Sequence, residues 1–273
     1  MIDSHHHLWN YTTEEFGWIE QDVIRRSFLA PELDTLLEEN GVTGAVAVQA
    51  RTSLEENDFL LAEAAQSSTI KGVVGWVELK STEAGSQLDR YQSNPLFKGV
   101  REITQGAADA DFLSNPAFNQ GIREITARDL TYDVLIFQDQ IPAATSFIDQ
   151  HPNQRFVLDH AAKPEIRAAA FPESWEKGIR EMAERDNLVC KISGLVTEVR
   201  DDSWDTSLME RYFDTLLEAF GPQRLMFGSD WPVCLLSSEY ARWKDCITQH
   251  LSKLSEDEQQ AIHTQTATQF YSL

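Results

Sequence analysis

Three consecutive histidines in the opening stretch MIDSHHHLWN are the first residues whose type and spacing could do chemistry. In an extended strand, residues i and i+2 point to the same side, which places His5 and His7 on one face and His6 on the other. Two converging imidazoles can bind a divalent metal when a distant histidine and a carboxylate complete the site. The alternative is the remnant of an affinity tag, but tags usually carry six or more histidines and do not lie between an Ile-Asp and a Leu-Trp that are typical of a strand entering the fold.

A distant histidine and carboxylate are present, because the apolar stretches QRFVLDH and RLMFGSD end at His160 and Asp230. Other apolar stretches also finish in polar, charged or aromatic residues. These are Gln49, Arg51, Trp76, Glu78, Arg101, Asp159, Lys163, Ser193, Thr197, Glu198 and Trp231. Charged groups are costly to bury without partners. Their recurrence at the ends of apolar stretches therefore predicts an active site.

The elements that must position these residues are eight short apolar runs. Most are rich in Val, Ile and Leu with little alternation, which is typical of strands buried on both faces of a parallel sheet. The predicted strands are MID leading into the histidines, 44–50, 71–79, 96–102, 131–137, 154–160, 187–193 and 224–230.

Helical signals lie between these strands. The segment 31–40 begins with proline and is followed by Gly41, a typical helix stop. The segment 172–187 carries acids early and bases late, which suits the helix dipole. Further helices are predicted over 237–254 and 255–271.

Alternating strands and helices predict right-handed βαβ units. Eight such strands in 273 residues predict a (β/α)₈ TIM barrel that forms a single domain over 1–273, with a doubly wound open sheet as the alternative. Active sites of TIM barrels lie at the carboxyl ends of the strands. The polar residues named above are therefore expected to meet at one face.

Composition narrows the class of ligand. The chain has 23 Lys and Arg against 44 Asp and Glu, a formal net charge of −21, which disfavours nucleic acid and anionic membranes as partners. A small-molecule substrate is expected instead. Three scattered cysteines without a CxxC pair predict a reducing compartment, and neither a membrane span nor a signal peptide is recognised; a cytoplasmic location is expected. The sequence is silent on oligomeric state.

Four motifs together resemble the amidohydrolase superfamily: D-S-H-x-H-x-W at 3–9, VLDHAAKP at 157–164, CKISGLVTE at 190–198 and FGSDWPV at 227–233. More narrowly, the chain is similar to the "amidohydrolase 2" group of sugar-lactone and pyrone-dicarboxylate lactonases. Matching stretches at 48–57, 72–79 and 97–102 extend the resemblance over the whole chain. It implies a (β/α)₈ barrel that hydrolyses an ester or amide bond, commonly a lactone in carbohydrate metabolism.

The resemblance also implies residue roles. Asp230 would deprotonate the attacking water and pass the proton to the leaving oxygen. His5, His7 and Asp230 would bind one divalent metal, expected to be Zn²⁺, which polarises the carbonyl and activates water. Arg101 stands where the wider superfamily often has a bridging carboxylated lysine, and the predicted fifth strand has no histidine; a two-metal centre is not expected. A metal-independent reaction, with the histidines and Arg101 polarising the carbonyl, stays open.

Negative charge develops on a lactone carbonyl as water attacks, and Arg101, His160 and Lys163 are predicted to face it. Trp9, Trp76 and Trp231 are candidates to pack against a sugar ring. The predicted substrate-binding residues are Gln49, Trp76, Glu78, Lys163, Glu198 and Trp231. Only two arginines are placed near the mouth, which favours a neutral sugar lactone over a dicarboxylate.

Three alternatives remain at this point. One is a metal-dependent decarboxylase of an aromatic or unsaturated carboxylic acid on the same barrel. Another is a lactonase of the 2-pyrone-4,6-dicarboxylate type. The third, a barrel that only binds a metabolite, is disfavoured because His5, His7, His160 and Asp230 are all present.

Overall fold

Eight parallel strands follow one another in chain order, each hydrogen-bonded to the next. The computed structural model describes residues 1–107 and 111–273. The strands are β1 (Ile2–His6), β2 (Gly44–Val48), β3 (Ile70–Gly75), β4 (Phe97–Ile103), β5 (Thr131–Leu135), β6 (Phe156–Leu158), β7 (Leu188–Ile192) and β8 (Leu225–Phe227). All eight coincide with the predicted apolar runs, and the (β/α)₈ barrel is confirmed. The open-sheet alternative is wrong because β8 returns to β1.

Helices follow the strands and form the outer layer. They are α1 (Ala30–Glu39), α2 (Leu54–Gln66), α3 (Ala84–Tyr91), α4 (Pro116–Thr126), α5 (Ile141–Asp149), α6 (Glu173–Met182), α7 (Thr206–Phe220), α8 (Tyr240–Leu251), α9 (Glu256–Gln260) and α10 (Thr266–Tyr271). The helix predicted over 255–271 begins at a Ser255–Glu258 capping box and is interrupted by a π-helical turn at Ala261–Gln265. Within the described ranges, each helix is too short or too polar to span a bilayer.

The barrel closes at a seam between β8 and β1, close to the predicted active site. The Asp230 amide donates to the His5 carbonyl oxygen at 2.8 Å, and the His7 amide donates to the Trp231 carbonyl oxygen at 2.7 Å. The buried Asp3 carboxylate spans the same seam: Oδ1 accepts from the amides of His5 at 3.2 Å and Ser229 at 2.9 Å. The seam therefore fixes the backbone on which the first histidines and Asp230 are carried.

The opposite end of the barrel is filled by apolar side chains and closed by α10. Its interior residues include Val46, Val74, Val157 and Met226, and Tyr271 packs among them. The Tyr271 hydroxyl donates to Asp133 Oδ2 at 2.8 Å. Burial of this apolar layer supplies the stabilisation that lets charged groups occupy the upper half of the barrel.

Candidate active site

Three of the predicted metal ligands form a tight triangle at the barrel mouth. The Nε2 atoms of His5 and His7 lie 3.2 Å apart, and Asp230 Oδ1 lies 3.3 Å from His7 Nε2 and 3.8 Å from His5 Nε2. Neighbouring ligands of a tetrahedral Zn²⁺ with bonds of about 2.0–2.1 Å are roughly 3.3 Å apart. Two imidazoles and one carboxylate at this spacing fit one small divalent cation.

His160 joins the group through an unusual piece of backbone. Residues 160–163 all adopt left-handed conformations, with φ between 48° and 58°, and Asp230 has φ 59°. Non-glycine residues in this region cost of order 1–3 kcal/mol each, and such strain concentrates at functional sites. The turn brings His160 Nε2 to 3.9 Å from Asp230 Oδ1 and Nδ1 to 2.9 Å from Ser193 Oγ.

Gly194 makes room for this arrangement. Its φ is +64°, and a Cβ atom there would lie 2.5 Å from His160 Nδ1 and 3.1 Å from Asp230 Oδ2. Both the backbone conformation and the close approach require glycine. The loop after β7 is thereby packed directly against the catalytic candidates.

Burial and neighbouring charges set the protonation states. Burial lowers the pKa of His160 to about 4, although the Asp230 and Asp159 carboxylates oppose the shift; the ring is neutral at pH 7. Burial alone would raise the pKa of Asp230, but the imidazoles of His160, His7 and His5 outweigh it and hold that pKa below its usual range. The site therefore pairs an ionised carboxylate with a neutral imidazole.

Arg101 is held rigidly on β4. Its Nη1 atom lies 3.1 Å from Asp159 Oδ2 and 3.3 Å from His5 Nε2, and Nη2 donates to the Gln49 carbonyl oxygen. The Gln49 side chain donates back to the Arg101 carbonyl oxygen at 3.1 Å and is fully buried. Gln49, predicted to bind substrate, thus positions Arg101 instead.

Beneath the triangle lies a buried charge cluster formed by Lys191, Asp133 and Asp159. The sequence placed Asp159 at a strand end, but Lys191 and Asp133 were not among the predicted site residues. Lys191 Nζ is 2.6 Å from Asp133 Oδ2, 2.9 Å from Asp159 Oδ1 and 3.1 Å from His5 Nδ1. Burial raises the pKa of Asp133 to about 6, opposed by Lys191, whereas Lys191, His5 and Arg101 overcome burial and hold the pKa of Asp159 well below its usual range. The sequence signal for this cluster was the single lysine inside the apolar strand NLVCKIS, because a buried lysine needs buried partners of opposite charge.

A cavity of about 400 Å³ opens above these groups. Its polar lining is His7, Arg101, Gln105, His160, Lys163 and Asp230, and its less polar side is Trp18, Ala50, Ile103, Leu135 and Val233. Lys163 Nζ is fixed by Gln105 Oε1 and Glu198 Oε1, both at 3.0 Å. Trp18, which is 51% exposed, was missed because it lies on an irregular segment without strand or helix periodicity.

Five predicted substrate contacts do not line this cavity, namely Gln49, described above, and Trp76, Glu78, Glu198 and Trp231. Glu198 is buried between Lys163 and Arg200; Trp76 donates through Nε1 to Glu102 Oε2 at 2.9 Å. Glu78 is exposed to solvent.

Trp231 is only 2% exposed and packs edge-on against Phe28, with ring centroids 5.1 Å apart. Trp9 is likewise buried against Phe28. Asp230 has a left-handed backbone, and Trp231 after it turns from the mouth into the core. Trp9 lies beyond the end of β1 and donates through Nε1 to the Arg26 carbonyl oxygen at 2.7 Å. The placement of both tryptophans at a sugar subsite is therefore corrected.

The sequence profile of the amidohydrolase family matches residues 2–273. The chain belongs to the amidohydrolase family. Two similar members are L-fucono-1,5-lactonases: one from Burkholderia multivorans is 36% identical, over 100% of this chain and 96% of the relative. The other, from Burkholderia ambifaria, is 37% identical over 89% of this chain and 84% of the relative. A solved amidohydrolase from B. multivorans with bound zinc is 36% identical, with a TM-score of 0.96 and coverage of 100% of this chain and 99% of that one. The predicted family and hydrolase class are confirmed.

Proposed function

We propose that the protein hydrolyses a sugar 1,5-lactone, L-fucono-1,5-lactone or a close stereochemical relative. The observation that carries the proposal is the Asp230 carboxylate beside the His160 imidazole, with the Arg101 guanidinium lining the same cavity of about 400 Å³. Ester hydrolysis needs a base for water and donors for the carbonyl oxygen, and this group supplies both. The similarity to two L-fucono-1,5-lactonases supports the sugar class.

In the proposed reaction, Asp230 accepts a proton from water as the water oxygen attacks the lactone carbonyl carbon. The carbonyl oxygen becomes negative and is stabilised by Arg101 and by His160. When the Ser193 hydroxyl donates to His160 Nδ1, the neutral ring carries its hydrogen on Nε2, the atom nearer Asp230. Collapse of the intermediate breaks the bond to the ring oxygen, which takes the proton from Asp230. The product is the open-chain aldonic acid.

A single divalent cation, for which Zn²⁺ suits the nitrogen and oxygen donors, would be held by His5, His7 and Asp230. When bound, it would act as a Lewis acid and lower the pKa of a bound water. We expect elemental analysis of the zinc-equilibrated and desalted protein to find no more than one transition metal per chain. Arg101 and Lys191 already supply two cations to the barrel interior. Two tightly retained ions per chain would contradict this expectation.

Trp18 and the less polar side of the cavity suit the carbon face of a deoxy sugar. The segment carrying Trp18 is tied to the loop after β2 by an ion pair of 2.5 Å between Glu15 and Arg51. Ile103, Leu135 and Val233 line the same cavity and could contact a methyl group. Aromatic rings pack against the C–H faces of sugars while leaving hydroxyls free.

We expect Trp18→Ala to raise the KM for the lactone by about two- to tenfold with little change in kcat, because an aromatic contact of about 0.5–1.5 kcal/mol is lost on binding. Trp18→Phe should retain most of the affinity.

The other six tryptophans are at most 9% exposed, which makes Trp18 the main target of acrylamide quenching. Saturating aldonate should protect the wild type from quenching. Val23→Ala, on the same segment and 50% exposed, is the matched control and should behave as wild type; an unchanged KM in Trp18→Ala would remove Trp18 from the site.

A substrate panel tests the proposal directly. Acid release should be measured with L-fucono-1,5-lactone, its 6-hydroxy counterpart L-galactono-1,5-lactone, other aldonolactones and 2-pyrone-4,6-dicarboxylate. The proposal expects turnover of aldonolactones, highest for the deoxy sugar because a methyl group suits the apolar residues. Turnover of the pyrone alone, or carbon dioxide release from a hydroxybenzoate without lactone hydrolysis, would replace the proposal with one of the alternatives.

A further inference from the structure

Lys191 is a fully buried ammonium group to which the proposed reaction assigns no step. Its Nζ atom lies within 3.1 Å of three acceptors, namely Asp133 Oδ2, Asp159 Oδ1 and His5 Nδ1. A lysine ammonium has three hydrogens and can only donate. Because Lys191 lies close to His5, a candidate metal ligand, it constrains which ring nitrogen of His5 carries the hydrogen.

His5 has two neighbours that demand opposite arrangements of its hydrogen. A neutral imidazole carries one N–H, and a donor at Nδ1 leaves that hydrogen on Nε2. Asp159 Oδ1 lies 3.3 Å from the same Nδ1 atom and favours the hydrogen there instead. Only the second arrangement frees Nε2 to bind a metal, as in metal sites where the ligating histidine donates its other N–H to a carboxylate.

The charges around the ring add to this competition. Lys191 lies behind Nδ1, and Arg101 Nη1 lies 3.3 Å from Nε2. Arg101 can only donate, but it has other acceptors in Asp159 and the Gln49 carbonyl oxygen. A hydrogen on His5 Nε2 has an acceptor in His7 Nε2, 3.2 Å away, because His7 Nδ1 donates to the Val48 carbonyl oxygen at 2.7 Å. Both groups place positive charge beside the position that a cation would occupy, which lowers its affinity.

We propose that Lys191 is a positioning residue that weakens metal binding at His5, His7 and Asp230. It holds His5 in the form with hydrogen on Nε2 and sets a fixed positive charge behind the ring. A cation binds only when Lys191 gives up its bond to His5 and keeps Asp133 and Asp159. The inference rests on the proposed metal site and is independent of which lactone is hydrolysed.

The test is the affinity of the purified, chelator-treated protein for Zn²⁺ and for Co²⁺, measured by competition with a chromophoric chelator at fixed pH. Lys191→Met keeps the length of the side chain and removes the donor and the charge. The expected result is a Kd lower by about 10- to 100-fold, the usual range for changes in groups that contact a metal ligand. A merely structural lysine predicts the opposite sign, because leaving Asp133 without a cation and Asp159 with Arg101 alone would loosen His5. An unchanged or higher Kd overturns the proposal.

Lys191→Met leaves the buried Asp133 carboxylate without its cation and could prevent folding, so a second variant keeps the test decisive. Lys191→Met/Asp133→Asn removes one charge of each sign and still lacks the donor to His5. The Kd should again fall at least several-fold, and a Kd equal to or above that of the wild type overturns the proposal. Tyr271→Phe is the control, because it removes one hydrogen bond to Asp133 and no charge; its Kd should match the wild type. If neither the wild type nor the variants bind metal, this proposal fails while the lactone assay still decides the function.

Discussion

Replacing Asp230 with asparagine is expected to lower kcat for lactone hydrolysis by about a thousandfold, since general-base catalysis contributes about 10²- to 10⁴-fold. The amide cannot accept a proton from water, and no other carboxylate lines the cavity among the described residues. Asparagine has the same size, and the backbone bond from residue 230 to the His5 carbonyl oxygen is retained. The fold should therefore remain intact.

The measurement is acid release in a pH-stat, with far-ultraviolet circular dichroism to verify the fold. Asp214→Asn is a suitable control because Asp214 is a half-exposed carboxylate paired with Lys253 on the outer surface. It should keep wild-type activity. Near-normal turnover by folded Asp230→Asn would refute the general-base assignment.

Replacing Arg101 with methionine should lower the free energy of unfolding by about 3–5 kcal/mol, the usual cost of removing one partner of a buried ion pair. The substitution deprives Asp159 Oδ2 of its guanidinium donor and leaves the Gln49 carbonyl oxygen without its bond. For a chain of this size the thermal midpoint should fall by about 10 °C. Activity should fall as well, because Arg101 is the cation proposed to stabilise the carbonyl oxygen.

Arg101→Met/Asp159→Asn separates the two effects. Without Arg101, Lys191 is the one cation within the described part of the chain that faces the two carboxylates Asp133 and Asp159. The second substitution removes the excess negative charge and should recover much of the stability, whereas the activity should stay low. If Arg101→Met alone keeps the thermal midpoint of the wild type, Arg101 is not the cation that balances Asp159.

The sequence predicted the barrel and the convergence of His5, His7, His160 and Asp230 because both follow from simple physical rules. Apolar runs buried on both faces must become parallel strands, and a closed barrel brings the carboxyl ends of all its strands to one rim. Residues far apart in sequence therefore meet without any detailed knowledge of packing.

The side-chain directions could not be predicted in the same way. Trp231 follows Asp230 directly yet packs into the core, and Gln49 faces Arg101 rather than the cavity. These outcomes depend on local twist and on left-handed residues such as His160 and Asp230, which no periodicity reveals. Lys191 was recognisable as a charge inside an apolar strand, but its three partners come from other strands and only the fold brings them together.

The seam between β8 and β1 has a consequence for how the protein fails on heating. His5 and His7 lie on one side of it and Asp230 on the other, and the seam is made by an isolated bridge between His6 and Trp231, a few amide bonds and the Asp3 carboxylate. Local opening there would separate Asp230 from His5 and His7 while the other strand pairs stay intact. Thermal inactivation should therefore precede the loss of helical signal. A cation held by both sides would act as a crosslink across the seam. The temperature of inactivation would then approach the temperature at which the helical signal is lost.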